Sequence, residues 1–495
     1  EAPCGGRGRC GKCVITVTGP VCSLNTREER TLAEEPIPAC RFAPVGDCTV
    51  TLAGRNEAAV LTEGAAAIEA SEGGLGIAVD IGTTTVAALL YDLATGKHLA
   101  SVGERNAQCG YGADVISRIT ACGDGKLPVL RDLIRGQTEH LTERLCRNAA
   151  CSPREIRKMA VAGNTVMEHL FSGLDPTGIG VAPFTPVTLF GDHRKGMIGE
   201  TDIFLCPCIS GYVGGDITAG LLASGGDSTE GLRLYIDIGT NGEMALGNCH
   251  GYLTCATAAG PAFEGAEIAC GMNGTAGAID RVWTEDGEIS IHVIGEGSAE
   301  GLCGSGLVDA VAAMLELNVI DETGRMADED ELPSQLAHRR FDLENGTGAL
   351  RLSGKVYLTE KDVRQVQLAK AAICAGAETL LAKSGKQVHD ITELVIAGGF
   401  GSFMDKYSAL RIGLLPPVDP ERIRHVGNAA LAGAALALTK QGEARLSALA
   451  EKCGYLELSS SPDFMERYIE CMMFREEWPE TEGESLPFDY DIREG

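Results

Sequence analysis

The stretch Leu75–Asp92, "LGIAVDIGTTTVAALLYD", decides the fold, because its opening returns at Leu232–Asn248 as "LRLYIDIGTNGEMALGN". Each copy reads as an apolar strand, an Asp-Ile-Gly-Thr turn and a second strand. Asp80 and Asp237 stand 157 positions apart. A duplicated lobe is the economical reading. In such a turn Gly82 lets the backbone approach a phosphate, Thr83, Thr84 and Thr85 offer N–H and hydroxyl donors, and the acid at the strand end can hold Mg²⁺ or its water. One such turn is common in ordinary hairpins. Two of them, followed by "LVIAGGFGSF" (Leu394–Phe403), carry more weight, because this third strand runs into Gly398-Gly399, where an adenosine can lie against bare backbone. The competing reading is that all three are structural turns.

Outward from the turns, helical patterns such as "LPVLRDLIRGQTEHLTERLCRNA" and "TEKDVRQVQLAKAAICAGAETLLAKSG" alternate with the strands. An α/β fold of two similar lobes is expected. After about Lys440 the pattern weakens into a charged, acidic tail. A chain of 495 residues leaves room for two or three domains. Its net charge of -27 argues against nucleic acid or an anionic membrane as the main partner. Its longest apolar run near the end, Ala429–Leu438, is far short of the ~20 residues of a membrane helix. Nineteen cysteines, an odd number with no signal peptide ahead of them, do not describe a secreted disulfide framework. A reducing cytoplasm of an anaerobe is the expectation.

The cysteines concentrate at "CGGRGRCGKC" (Cys4–Cys13), where Cys4, Cys10 and Cys13 are spaced x5 and x2 and Cys40 follows Cys13 after 26 intervening residues. Four thiolates suit a tetrahedral zinc ion or an iron–sulfur cluster. Gly5, Gly6, Gly8 and Gly11 favour a [2Fe–2S] loop, whose backbone N–H groups must turn toward the cluster sulfides. Zinc and unliganded thiols remain the alternatives. Gly6, Gly8 and Gly11 also match a dinucleotide fingerprint, but no strand precedes them and a candidate ligand interrupts them. Around the loop, "CVITVTG" and "DCTVTLAG" read as strands and "NTREERTLAEE" as a charged helix. Cys206, Cys208, Cys255, Cys270, Cys303 and Cys374 read as small buried residues. Cys453 and Cys471 alone cannot supply a further cluster.

The two turns and the Gly-Gly segment resemble the phosphate 1, phosphate 2 and adenosine motifs of the actin, sugar kinase and Hsp70 superfamily. "CGGRGRCGKC" with "TREERTLAEEPIPACRFAPVGDCTV" resembles the ferredoxin-type module of the reductive activators of corrinoid proteins. "AVAGNTVMEHL" (Ala160–Leu170), "AAGPAFEGAEIACGMNGTAGAI" (Ala258–Ile279), "GLCGSGLVDAV" (Gly301–Val311) and "GNAALAGA" (Gly427–Ala434) resemble that family's segments in order. The resemblance spans about Cys4 to Lys440, and Cys22 and Cys48 fall off the ligand pattern.

The resemblance implies a two-lobed, actin-like (duplicated ribonuclease H-like) ATPase behind a β-grasp ferredoxin module that is expected to be truncated here. The expected division is 1–54 for a partial [2Fe–2S] domain, 55–74 for a linker, 75–228 and 229–440 for the lobes, and 441–495 for an extension of unassigned role. It implies Cys4, Cys10, Cys13 and Cys40 as cluster ligands and Asp80 and Asp237 on Mg²⁺ or the attacking water. Gly82 to Thr85 and Gly239, Thr240, Asn241 and Gly242 would grip the phosphates of ATP, Asn164 would line the cleft, and Gly398, Gly399 and Gly401 would lie near adenosine. The implied activity is ATP-driven transfer of one electron to a Co(II) corrinoid on a methyl-transfer partner, giving Co(I), with a ferredoxin as donor and a homodimer as the oligomeric expectation. Two other readings stay open: a small-molecule kinase with an appended metal module, and an activator of a radical dehydratase whose two subunits share one [4Fe–4S] cluster. Four cysteines in one module speak against such sharing.

Overall fold

The computed structural model describes residues 14–24, 26–51, 67–71, 73–295 and 297–475. Cys4, Cys10 and Cys13 lie outside the described residues. The first module is a sheet of β1 (Val14–Ser23), β2 (Glu29–Pro38), β3 (Phe42–Pro44) and β4 (Thr49–Thr51), all three later strands pairing with β1. The helix expected in "NTREERTLAEE" is therefore corrected to strand. Pairing with β1 outweighs local propensity, because it brings Leu32 and Ile37 onto Val17 and Val21 to make the module's core.

The first lobe contains β5 (Leu75–Ile81), β6 (Thr85–Asp92), β7 (Lys97–Arg105), α1 (Val115–Ala121), α2 (Leu127–Asn148), β8 (Ile156–Gly163), α3 (Thr165–Ser172), β9 (His193–Arg194), β10 (Asp202–Leu205) and α4 (Gly215–Ala223). Its sheet runs β7-β6-β5-β8-β10-β9, with β5 antiparallel to β6 and parallel to β8.

The second lobe opens with β11 (Arg233–Ile238), β12 (Gly242–Asn248) and β13 (Gly251–Thr257). Two three-stranded sheets follow, β14 (Ala278–Glu285), β15 (Glu288–Val293) and β16 (Gly301–Leu302), then β17 (Arg340–Asp342), β18 (Gly348–Ser353) and β19 (Val356–Thr359), separated by α5 (Gly304–Glu316) and α6 (Ser334–Ala337). The chain continues through α7 (Glu360–Lys383), β20 (Glu393–Ala397), α8 (Lys406–Arg411), β21 (Ile423–His425), α9 (Ala429–Leu436), α10 (Lys440–Ala450), β22 (Cys453–Tyr455) and α11 (Pro462–Glu470). The main sheet runs β21-β20-β11-β12-β13-β22. Its first three strands are antiparallel and β20 and β21 join in parallel, the same plan as β5-β6-β7 with β8 and β10.

Alternation along the strands separates the cores. Ile77, Val79 and Ile81 of β5 face the outer core of the first lobe, whereas Ala78 faces a core shared with Tyr235 of β11 and Ala397 of β20. Helices α4 and α9 fill that shared core. Small residues let them approach: a Cβ on Gly433 of α9 would stand 2.0 Å from the Ala219 carbonyl oxygen of α4. The pattern expected to weaken past Lys440 in fact stays folded through Arg475. Strand β22 completes the second sheet beside β13, and α11 lies along α7. Upstream, Ile68 is buried in the shared core and its N–H donates to the Gly96 carbonyl. None of the helices among the described residues is long and apolar enough to cross a membrane.

Candidate functional site

The duplicated hairpins place their turns on opposite walls of one cleft of about 350 Å³. Asp80 and Asp237 occupy equivalent positions, each next to last in its strand and each paired with an alanine of the parallel neighbour, Ala162 and Ala397. Both acids are surrounded by protein yet keep partial contact with solvent through the cleft.

The first turn is braced from behind. Asn106 Nδ2 donates to the Gly82 carbonyl at 2.8 Å, and the fully buried Arg118 donates to the Thr83 carbonyl. Asn164 caps α3 through Met167 N and gives its Nδ2 to Thr83 Oγ1 at 3.0 Å. The turn is thereby fixed before any ligand arrives, which limits the ordering cost of binding. The second turn is held by Gly239 N donating to the Asn241 carbonyl and by Gly260 N donating to the Thr240 carbonyl, both at 3.0 Å.

Four carboxylates converge beneath these turns. Burial pushes Asp80 up to about 6, opposed by a 2.8 Å hydrogen bond from Asn428 Nδ2. Asp237 reaches about 7, through burial first and the neighbouring Asp80 second. Asp216 reaches about 8, through burial and then the charges of Asp237 and Asp80. Glu243 is raised well above the usual carboxylate range by burial, with Asp216 and Asp237 adding to it. Acids that raise one another in this way are a hard-oxygen donor set, and a divalent cation would relieve their repulsion.

Glu264 joins the two walls. Its carboxylate accepts from Thr84 Oγ1 at 2.8 Å and from Thr240 Oγ1 at 2.5 Å, so one side chain bridges both turns. It sits on the one-turn helix Ala262–Glu264, whose Phe263 stacks on Phe400 with centroids 5.0 Å apart.

The sequence-predicted residues divide as follows. Asp80, Gly82, Thr83, Thr84, Thr85, Asn164, Asp237, Gly239, Thr240, Asn241, Gly398 and Gly399 line the cleft. Gly242 and Gly401 stand behind it. A Cβ on Gly242 would meet Ile373 of α7 at 2.9 Å, and one on Gly401 would meet Ile396 of β20 at 2.7 Å. Gly398, with φ +92°, is required where it is, because a Cβ there would come within 2.7 Å of Asp237 Oδ1. Cys40 lies apart from the cleft residues, half-buried on the turn Ala39–Arg41 of the first module. Asp216, Glu243, Glu264 and Asn428 are cleft residues that sequence reasoning missed. Signals existed: Glu243 directly follows the second turn, and Glu264 and Asn428 fall inside quoted family segments.

Comparison with known proteins gives the same picture. Residues 75–229 match the family model described as "RACo middle region", and residues 231–482 match "C-terminal domain of RACo the ASKHA domain". The chain is 38% identical over 417 residues to "Corrinoid activation enzyme RamQ" of Eubacterium limosum, covering 81% of this chain and 70% of that one. It is 28% identical over 395 residues to "[Co(II) methylated amine-specific corrinoid protein] reductase" of Methanosarcina barkeri, covering 72% and 68%. A solved structure titled "Reductive activator for corrinoid,iron-sulfur protein" superposes with a TM-score of 0.73 at 30% identity over 95% of this chain and 93% of that one. On the extent of these matches, the chain belongs to the family of reductive activators of corrinoid proteins.

Proposed function

We propose that this protein couples ATP to the one-electron reduction of a corrinoid protein, restoring Co(I) from Co(II) on a methyl-transfer partner. The observation that carries the reading is the cleft itself: two donor-rich turns facing each other above four interacting carboxylates, in a chain of this family. Gly82 to Thr85 and Gly239 to Asn241 bind the phosphates, and Gly398 and Gly399 leave room for adenosine. Asp80, Asp216, Asp237 and Glu243 hold Mg²⁺ or orient the attacking water.

Cys4, Cys10, Cys13 and Cys40 are proposed to hold a [2Fe–2S] cluster, which when bound supplies single-electron transfer at low potential. Cys40 suits a ligand's position, on a tight turn between β2 and β3 and only half-buried. A ferredoxin-like protein is the proposed donor. ATP is adequate in size for the task, since a coupling of about 1–3 kcal/mol between nucleotide and partner sites offsets roughly 40–130 mV in a one-electron step.

The test is anaerobic: reduced protein, MgATP and a Co(II) corrinoid protein, followed by loss of the Co(II) EPR signal alongside ADP release. Co(II) loss that requires ATP supports the reading. ATP turnover with unchanged Co(II) in every corrinoid partner of the family's substrates would remove it. Turnover proportional to an added sugar or carboxylate would point to a kinase instead.

A further inference from the structure

Helix α7 carries Cys374 and Glu378 one turn apart, and the residues after α11 bring Cys471 beside them. The two sulfurs and a Glu378 carboxylate oxygen all lie within 4.8 Å of one another, with Cys374 Sγ 3.7 Å from Glu378 Oε1. Cys374 is 5% exposed and Cys471 9%, within a small core that includes Ala371 and Ala375.

Two cations stand around this pair, Lys370 buried and Arg475 half-buried. Lys370, one turn before Cys374, donates to the Met473 carbonyl and lies 5.2 Å from the Phe474 ring centre. Arg475 donates to the carbonyls of Leu410 and Leu415, each at 2.7 Å. Gln367 adds a hydrogen bond to the Met472 carbonyl at 3.0 Å. The segment 471–475 is thus stitched to α7 and α8 by polar contacts that surround the thiols.

Charge separates the two uses such a cluster could have. A metal ion would ionise both thiols and bring two further positive charges beside Lys370 and Arg475, with three protein ligands where closed structural zinc sites take four. One thiolate, one thiol and Glu378 instead balance the two cations. The hydrogen bond from Cys471 holds Cys374 below the usual thiol range against its burial and the charge of Glu378, and the charges of Arg475 and Lys370 add to the lowering. Cys471 is pushed up, and burial lowers Lys370 to about 8. By contrast, burial raises Cys206, Cys208 and Cys255, which makes them poor nucleophiles.

We propose that Cys374 and Cys471 are a reversible dithiol–disulfide pair that clips the C-terminal helix to the long helix behind the second phosphate turn. The exchange partner is a low-molecular-weight disulfide. The Cys374 thiolate attacks one of its sulfurs and expels a thiolate, and Cys471 then gives its proton to that thiolate and attacks Cys374 in the mixed disulfide, expelling the second. Two protein thiols become one disulfide and the external disulfide becomes two thiols. Both sulfurs are buried, so the attack passes through a transient lifting of α11, and side-chain rotation then brings them to bonding distance. The clip reaches the nucleotide cleft through Ile373, the neighbour of Cys374, which packs on Gly242.

The experiment incubates the full chain anaerobically in glutathione buffers of increasing oxidised fraction, followed by acid quench, alkylation and non-reducing peptide mapping. The expected result is a Cys374–Cys471 linked peptide that appears before any other disulfide-linked pair and is reversed by dithiothreitol. Cys471→Ser removes that peptide, leaves ATP turnover of the reduced protein unchanged and leaves the tail open to proteolysis under oxidising buffer. Alkylation of both thiols across the whole series overturns the proposal. Retention of one equivalent of zinc, lost in Cys374→Ser, overturns it in favour of a metal site.

Discussion

Asn428 Nδ2 donates to Asp80 Oδ2 at 2.8 Å, across 348 positions of sequence. The same Asn428 accepts from Leu431 N at 2.8 Å as the N-cap of α9. One side chain therefore starts the helix that fills the core between the lobes and favours the charged form of the first-lobe acid. Asn428→Ala should lose the cap, worth about 1 kcal/mol, and raise Asp80 further. Asn428→Asp should keep the cap acceptor but place a like charge against Asp80. Thermal melting should then be nearly preserved in Asn428→Asp while MgATP affinity at pH 7 falls in both variants. Equal affinity in all three proteins would remove Asn428 from the site.

Asp237 is the acid that both Gly398 and Asp80 crowd. Asp237→Asn keeps its shape and removes its charge. ATP turnover should drop by roughly 10²–10³-fold, the scale of removing a group that positions or activates the reacting water. Visible spectra of a cluster-loaded protein should not change, because Asp237 stands in the ATPase lobes. Turnover within a factor of two of the parent would reduce Asp237 to a turn residue.

Glu264 accepts hydroxyl hydrogen bonds from both turns, in the space where phosphate oxygens are proposed to bind. An internal carboxylate there competes with an anionic ligand for the same donors. Glu264→Ala should tighten nucleotide binding in the absence of Mg²⁺ by about tenfold, the equivalent of one charge-assisted hydrogen bond. Isothermal titration with and without Mg²⁺ measures it. Weaker binding in both conditions would show that Glu264 supports the nucleotide rather than competing with it.

Much of this was legible in the sequence because its signal is local. The Asp-Ile-Gly-Thr turns announce themselves by an acid, a glycine and hydroxyls between two apolar strands, and the structure brings both copies to one cleft. The side chains that complete the site were hidden, because Asp216 and Asn428 belong to helix starts whose approach to Asp80 depends on how α4 and α9 pack between the sheets. Glu264 lies on a single helical turn with no periodicity to read. The segment around Leu32 reads as helix for a related reason: its charges and Ala/Glu content favour helix, and only the partner strand β1 makes it a strand. Folding beyond Lys440 draws on β22 docking against β13, where Tyr252 pairs with Cys453 across 201 positions of sequence.

Cys40 and Cys22 provide a paired test in the first module. Cys22 lies on β1 opposite Ala43, outside the turn Ala39–Arg41 that carries Cys40. In a cluster-reconstituted protein, Cys40→Ala should abolish the [2Fe–2S] absorption and EPR signals and leave nucleotide-dependent thermal stabilisation intact. Cys22→Ala should retain both. An unchanged spectrum in Cys40→Ala would take Cys40 out of the ligand set.

The carboxylate cluster also sets a pH dependence whose sign differs between the unliganded and MgATP-bound protein. Asp80, Asp237 and Asp216 have folded values of about 6, 7 and 8, each raised from an ordinary value of 3.8. Groups raised on folding give stability that is complete below the unfolded value and is lost as pH climbs through the folded values. The unliganded protein should therefore melt progressively lower between pH 5 and pH 8.5. Because the acids keep partial contact with solvent, the loss should be modest, on the order of 1–3 kcal/mol or a few degrees. Cation binding reverses the trend, since the carboxylates must release protons to hold it. The stabilisation by MgATP should grow across the same window, and Asp216→Asn should flatten the unliganded slope. Differential scanning calorimetry at pH 5.5, 7 and 8.5, with and without Mg²⁺ and a non-hydrolysable ATP analogue, measures both slopes. An unliganded melting point that rises with pH, or a ligand effect that shrinks with it, would show that these acids are not a single titrating cation site.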